Sequence, residues 1–131
     1  MRRSVAGWLS ALALVSGGCT LSGTLEDPVA AAGPDLPVRF TALGTEPFWA
    51  AVVDDAVLVY QTPEDQKGQR VALARRAVDG RTELSGTLSG EALVLRIGAG
   101  PCSDGMSDTV YPYSAVLRIG RQVLNGCANP R

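Results

Sequence analysis

Tyr113-Ser114-Ala115-Val116-Leu117-Arg118-Ile119 has a period of two. In an extended chain Tyr113, Ala115, Leu117 and Ile119 share one side, while Ser114 and Arg118 lie on the other beside Val116. Residues 91–97 repeat the device, with Leu93, Leu95 and Ile97 set against Ala92, Val94 and Arg96. Such alternation predicts half-buried strands. No apolar run continues at helical spacing long enough to predict a sizeable amphipathic helix.

Outward from these two segments, the same pattern predicts strands over 38–43, 48–53, 56–61, 70–78 and 81–88, then 91–97, 110–119 and 122–126. Turn residues separate them: Asp54-Asp55, Asp79-Gly80, Ser89-Gly90 and Gly120-Arg121, with a polar loop at 62–68 and a long Gly/Ser/Asp-rich loop after Ile97. The expected fold class is therefore all-β, a small antiparallel β-barrel of about eight strands. Closure removes the sheet edges that would otherwise invite aggregation. A two-sheet β-sandwich is the alternative.

The amino end has a different character. Arg2 and Arg3 precede an apolar run from Val5 to Val15 that ends in Ser16-Gly17-Gly18-Cys19. That order describes a secretion signal closed by a lipidation site, and the run is too short for a permanent span. The expected organisation is a lipoprotein signal peptide at 1–18, a flexible lipid tether at 19–37 rich in Gly, Ser, Thr, Ala and Pro, and a barrel domain at 38–131. Cys19 is the expected acyl acceptor, with membrane attachment through its lipid. Thr20 follows it where an Asp would resemble an inner-membrane retention signal, so the expected address is the periplasmic face of the bacterial outer membrane.

Loss of Arg2 and Arg3 with the leader leaves ten basic side chains against thirteen acidic ones. This balance argues against a nucleic-acid partner, which calls for a clustered excess of Lys and Arg. With Cys19 carrying lipid, Cys102 and Cys127 remain as an even pair in an oxidising compartment and are expected to form a disulfide. There is no Cys-x-x-Cys spacing and no histidine, which weakens a redox or zinc reading, and neither a cofactor nor a metal is expected.

Three strings are too particular for generic sheet: 42–49 (Ala-Leu-Gly-Thr-Glu-Pro-Phe-Trp), 102–108 (Cys-Ser-Asp-Gly-Met-Ser-Asp) and 124–128 (Leu-Asn-Gly-Cys-Ala). With Tyr111-Pro112-Tyr113 between the last two, they resemble a family of uncharacterised bacterial exported proteins and lipoproteins over nearly all of 38–128. The resemblance supports the domain limits and the pairing of Cys102 with Cys127, and implies no particular activity. More distantly, size, address and a late disulfide resemble the small β-barrel domains of periplasmic lysozyme inhibitors and heat-shock-associated lipoproteins. That likeness concerns architecture alone.

The candidate binding residues are Glu46 and Trp49, then Ser103, Asp104, Asp108 and Tyr111. Glu46, beside Pro47 and two aromatics, is placed to line a barrel mouth. Phe48 and Trp49 point to opposite sides of a strand, so one of them fills the core. Hydroxyls and carboxylates of 103–108 sit on a segment that the disulfide pins, suited either to recognition or to satisfying its own backbone through Asx and Ser turns. No catalytic residue is assigned, because a Ser or Cys nucleophile lacks a histidine base and Lys67 lacks Ser-x-x-Lys spacing. The expected role is a lipid-anchored binding module for an envelope protein or a cell-wall or small ligand. An inhibitor of lysozyme-type muramidases is the alternative, and a hydrolase built on paired carboxylates is a third reading.

Overall fold

A computed structural model describes residues 35–131, so the expected leader, Cys19 and residues 19–34 of the expected tether lie outside the described residues. Nine strands follow one another: β1 (Arg39–Thr45), β2 (Phe48–Asp54), β3 (Val57–Gln61), β4 (Gln69–Ala72), β5 (Ala74–Val78), β6 (Arg81–Leu88), β7 (Glu91–Ser103), β8 (Val110–Ile119) and β9 (Gln122–Pro130). All pair antiparallel in the order β4-β3-β2-β1-β9-β8-β7-β6-β5. The chain is thus an all-β, nearly closed barrel carrying the Cys102–Cys127 disulfide.

Local chemistry sets the hairpins. Asp79-Gly80 and Ser89-Gly90 each place two successive residues at positive φ, the conformation of tight turns that match strand twist. Between them β6 and β7 run in unbroken register from Thr82 opposite Ile97 to Leu88 opposite Glu91. The remaining closure comes from β9, which returns beside β1 and extends to Pro130, four residues past the expected end, because pairing with Phe40 to Leu43 supplies its ladder.

The ninth strand arises where one was expected over 70–78. Leu73 leaves the ladder and donates its N–H to the Ala56 carbonyl at 2.8 Å. Ahead of it β4 pairs with β3, and beyond it β5 pairs with β6, so one bent stretch supplies both edges of the sheet. At this seam Gly86 of β6 is required, since a Cβ there would sit 2.5 Å from both Ala72 O and Val71 Cγ1.

Inward positions alternate as expected, and they fill the barrel. Phe40, Leu58, Leu84, Leu93, Leu95, Ile97 and Leu117 are all fully buried. Leu36 joins this cluster from just ahead of β1. Tyr113 donates its hydroxyl to Asp35 O at 2.8 Å, and Arg75 donates to Leu36 O and Pro37 O at 3.4 and 3.2 Å. Residues 35–37, assigned to the tether by composition, therefore lie against one end of the barrel.

Beyond Ile97 the first half of the expected loop is strand. β7 continues through a register shift between Ala99 and Cys102 and still pairs with β8 at Tyr111 and Val110. Cys127 faces outward from β9, and Cys102 meets it there with the two Cα atoms 5.7 Å apart. The far part of the β7–β8 hairpin therefore lies back across the outside of β9 as an arm, reaching Thr45, whose Oγ1 donates to Asp104 O at 3.1 Å.

One carboxylate is buried on the outer surface. Glu83 of β6 stands between Arg76 of β5 and Arg96 of β7 in register. It accepts from Nε and Nη2 of Arg76 on Oε1 and from Arg96 Nε on Oε2 at 2.8 Å. Its side chain is only 4% exposed because the guanidiniums cover it, while they remain 68% and 51% exposed. The hydrogen bonds from Arg96 and then Arg76 hold its carboxyl below the ordinary 4.5, outweighing the opposing effect of burial. A depressed folded-state pKa stabilises the fold above the unfolded value, and that contribution disappears as pH falls through the folded value. Glu83→Gln is expected to cost about 1 kcal/mol near neutral pH, discounted for the solvent around both arginines. The gap between the two proteins in urea titrations should shrink as pH falls through the folded-state value of Glu83; a constant gap would contradict the ion-pair account.

Candidate functional site

The outward positions of β1, β2 and β3 include Leu43, Phe48 and Ala50, apolar side chains on strands whose inward face already holds Ala42, Trp49 and Ala51. Register places Thr45 beside Phe48, and Leu43, Ala50 and Gln61 in one row. This row is the floor of a groove of about 620 Å3. The loop after β3 forms one wall with Thr62, Pro63 and Gln66, and the arm forms the other with Asp104 and Met106. The volume lies in the range of sites for small ligands or inserted side chains.

Each wall is built by its own hydrogen bonds. In the β3–β4 loop, Thr62 and Asp65 exchange backbone bonds at 3.2 and 3.1 Å, and Asp65 Oδ1 accepts from Gly68 N at 3.1 Å. Gln61 Nε2 donates to Gln66 O at 2.7 Å. In the arm, Asp104 Oδ1 accepts from Met106 N at 2.9 Å and Ser107 N at 3.1 Å, and Oδ2 accepts from the Tyr111 hydroxyl at 3.1 Å. Ser103 Oγ accepts from Gly105 N at 3.2 Å.

These partners decide what Asp104 can do. The Met106 amide, helped by Ser107 and Tyr111, holds its carboxyl below the usual carboxylate range despite partial desolvation. Desolvation, then the hydrogen bond to Asp104 and that carboxylate's charge, push the Tyr111 phenol up. A depressed carboxyl engaged on both oxygens organises a loop; a general acid calls for the opposite shift.

The other predicted residues divide between floor, rim and exterior. Trp49 is buried beneath the groove, its indole Nε1 donating to Asn125 O at 3.4 Å. Its ring lies over two glycines on neighbouring strands, for a Cβ at Gly44 would come 2.1 Å from Nε1 and one at Gly126 would come 3.0 Å from Cζ2. Glu46 stands exposed in the β1–β2 turn and borders a separate cleft of about 380 Å3 with Cys102, Ser103 and Asn125. Asp108 is exposed in the arm. Thus Trp49 and Asp104 both line the large groove, Glu46, Ser103 and Asp104 border the adjacent cleft, and the groove opens on the outer wall of the barrel.

Leu43, Phe48, Ala50, Gln61 and Met106 were not among the predicted residues. The available signal was the apolar Leu43 and Phe48 at positions facing away from the core. Phe48 is 53% and Met106 65% exposed, an apolar pair bracketing the groove. Among the described residues, no group of three or more His, Cys, Asp or Glu side chains converges for a metal ion. Compared with protein-family models, curated proteins and solved structures, the chain matches none.

Proposed function

We propose that this protein is a lipid-anchored binding module of the bacterial envelope, held through Cys19 at the periplasmic face of the outer membrane, and that its groove takes an apolar side chain of a partner protein. The observation that carries this reading is the exposed pair Phe48 and Met106 over a floor of Leu43 and Ala50, walled by two internally bonded loops. The filled interior supports an external site, since Phe40, Leu58, Leu95 and Leu117 occupy the barrel's centre. Aromatic and methionine side chains concentrate at interface centres, where they exclude water around an inserted anchor.

A photo-crosslinking residue placed at Phe48 or Met106 of the full chain in intact cells tests the reading. One discrete adduct common to both positions is expected, absent when the probe replaces Val123, an exposed residue of β9 that does not line the groove. Identical patterns at all three positions, or none at 48 and 106, would refute a groove-bound protein.

A further inference from the structure

The outer surface of β5–β8 carries a second, differently charged feature. Antiparallel register aligns its outward positions in three rows: Val78, Arg81 and Gly98; Arg76, Glu83, Arg96 and Val116; and Ser85, Val94 and Arg118. Four arginines therefore share this surface with two carboxylates, Glu83 and Asp79, although the whole chain has more acidic than basic side chains. Three inter-strand spacings make the patch roughly 14 Å wide.

Glu83 does more than neutralise one charge. It engages Nε of Arg96 and Nε and Nη2 of Arg76, which leaves other guanidinium N–H groups of both free to donate. Two depressions flank Arg96: one of about 280 Å3 with Val78, Asp79, Arg81 and Glu83, another of about 200 Å3 with Val94, Val116 and Arg118. Each juxtaposes arginine donors with valine surface. An array of phosphates matches forked donors spread over four strands better than one anion does.

Position in the fold adds a second argument. In the ring of strands, β7 with Arg96 lies across the barrel from β2 with Phe48. Residue 35, where the preceding chain joins, is fixed by Tyr113 of β8, and the two following carbonyls are fixed by Arg75 of β5. The chain thus enters at one end of the barrel, held by the two strands, β5 and β8, that bound the arginine surface.

We propose that the arginine surface of β5–β8 docks on the phosphate headgroups of an anionic bilayer and turns the groove of β1–β3 away from the lipid. The outward groove rests on the envelope-anchored reading above; the headgroup affinity does not. The test uses the full chain with Cys19→Ser, so that no acyl group contributes, and vesicles of phosphatidylcholine with and without about one third phosphatidylglycerol. Retention on the anionic vesicles alone is expected, and salt should release the protein. Arg81→Gln with Arg118→Gln, neither of which pairs with Glu83, should weaken retention roughly 25-fold, whereas the charge-matched Arg39→Gln with Lys67→Gln, on β1 and in the loop that walls the groove, should weaken it less than about 3-fold. An unchanged near-ultraviolet spectrum and melting temperature in both double variants secure the comparison. Equal retention on both vesicle types, or equal losses in both double variants, would overturn the proposal. So would inorganic phosphate shifting the melting temperature without any vesicle retention, which would assign the surface to a free anion. Groove crosslinks are read independently, so either idea can fail alone.

Discussion

Gly126→Ala is expected to destabilise the barrel by about 3 kcal/mol, the upper end of overpacking costs, and to lower its melting temperature by roughly 15 °C. The added methyl would lie 1.9 Å from Leu43 O and 2.7 Å from its carbonyl carbon, both backbone atoms of the paired strand. A flexible side chain could swing aside; here β9 must move away from β1, and Trp49 sits on the same glycine with Cζ2 at 3.0 Å. Gly80→Ala is the comparison. Its Cβ would meet no atom within 4 Å, so only its φ of 72° opposes the substitution, for about 1 kcal/mol. Thermal unfolding followed by near-ultraviolet dichroism, which reports Trp49, distinguishes the two. Similar small losses in both would show that β1 and β9 are looser than described.

Removal of the disulfide is the second large effect. Replacing Cys102 and Cys127 by Ala releases a cross-link that spans 25 residues of sequence, worth about 3.5 kcal/mol in the chain-entropy description. The loss should not be uniform. Strands β1 to β6 retain their ladders, whereas the arm retains its pairing with β8 and the single bond from Thr45 to Asp104 O. Hydrogen exchange should accelerate most at Met106, Ser107 and their neighbours, with the core of β6 and β7 protected. Because Asp104 and Met106 form a wall of the groove, crosslinking at Phe48 should fall along with it. Uniform acceleration throughout the barrel would contradict an arm clasped locally.

The hairpins were legible because their causes are local. Asp79-Gly80 and Ser89-Gly90 accept positive φ, and Leu93 to Ile97 and Tyr113 to Ile119 need only two-residue periodicity to declare an apolar side. The disulfide was legible from the even pair left after Cys19. Leu73 was not legible, since its departure from the ladder answers to Ala56, seventeen positions earlier, and to a seam that exists only when the barrel closes. The arm was hidden for a related reason: its return over β9 depends on a register shift after Ala99 and on Cys127, both tertiary features.

The site was half visible. Asp104, Ser103 and Tyr111 drew notice as polar residues in a particular string, and they do cluster, chiefly by bonding the arm to itself. Trp49 was singled out for its ring, which the structure puts under the groove on a bed of two glycines. The groove needed Pro63 and Met106, remote in sequence, to approach the same three strands. Alternation alone identifies which side chains point outward and leaves open which loops will rise around them.

Leu36 bears on how the molecule can be shortened. A version cut at Val38, where composition changes, would discard the apolar stopper and the carbonyls that Arg75 grips, opening the base of the barrel to water. Versions meant for biophysical work should begin at or before Asp35, where the Tyr113 hydroxyl makes its last hold on the incoming chain.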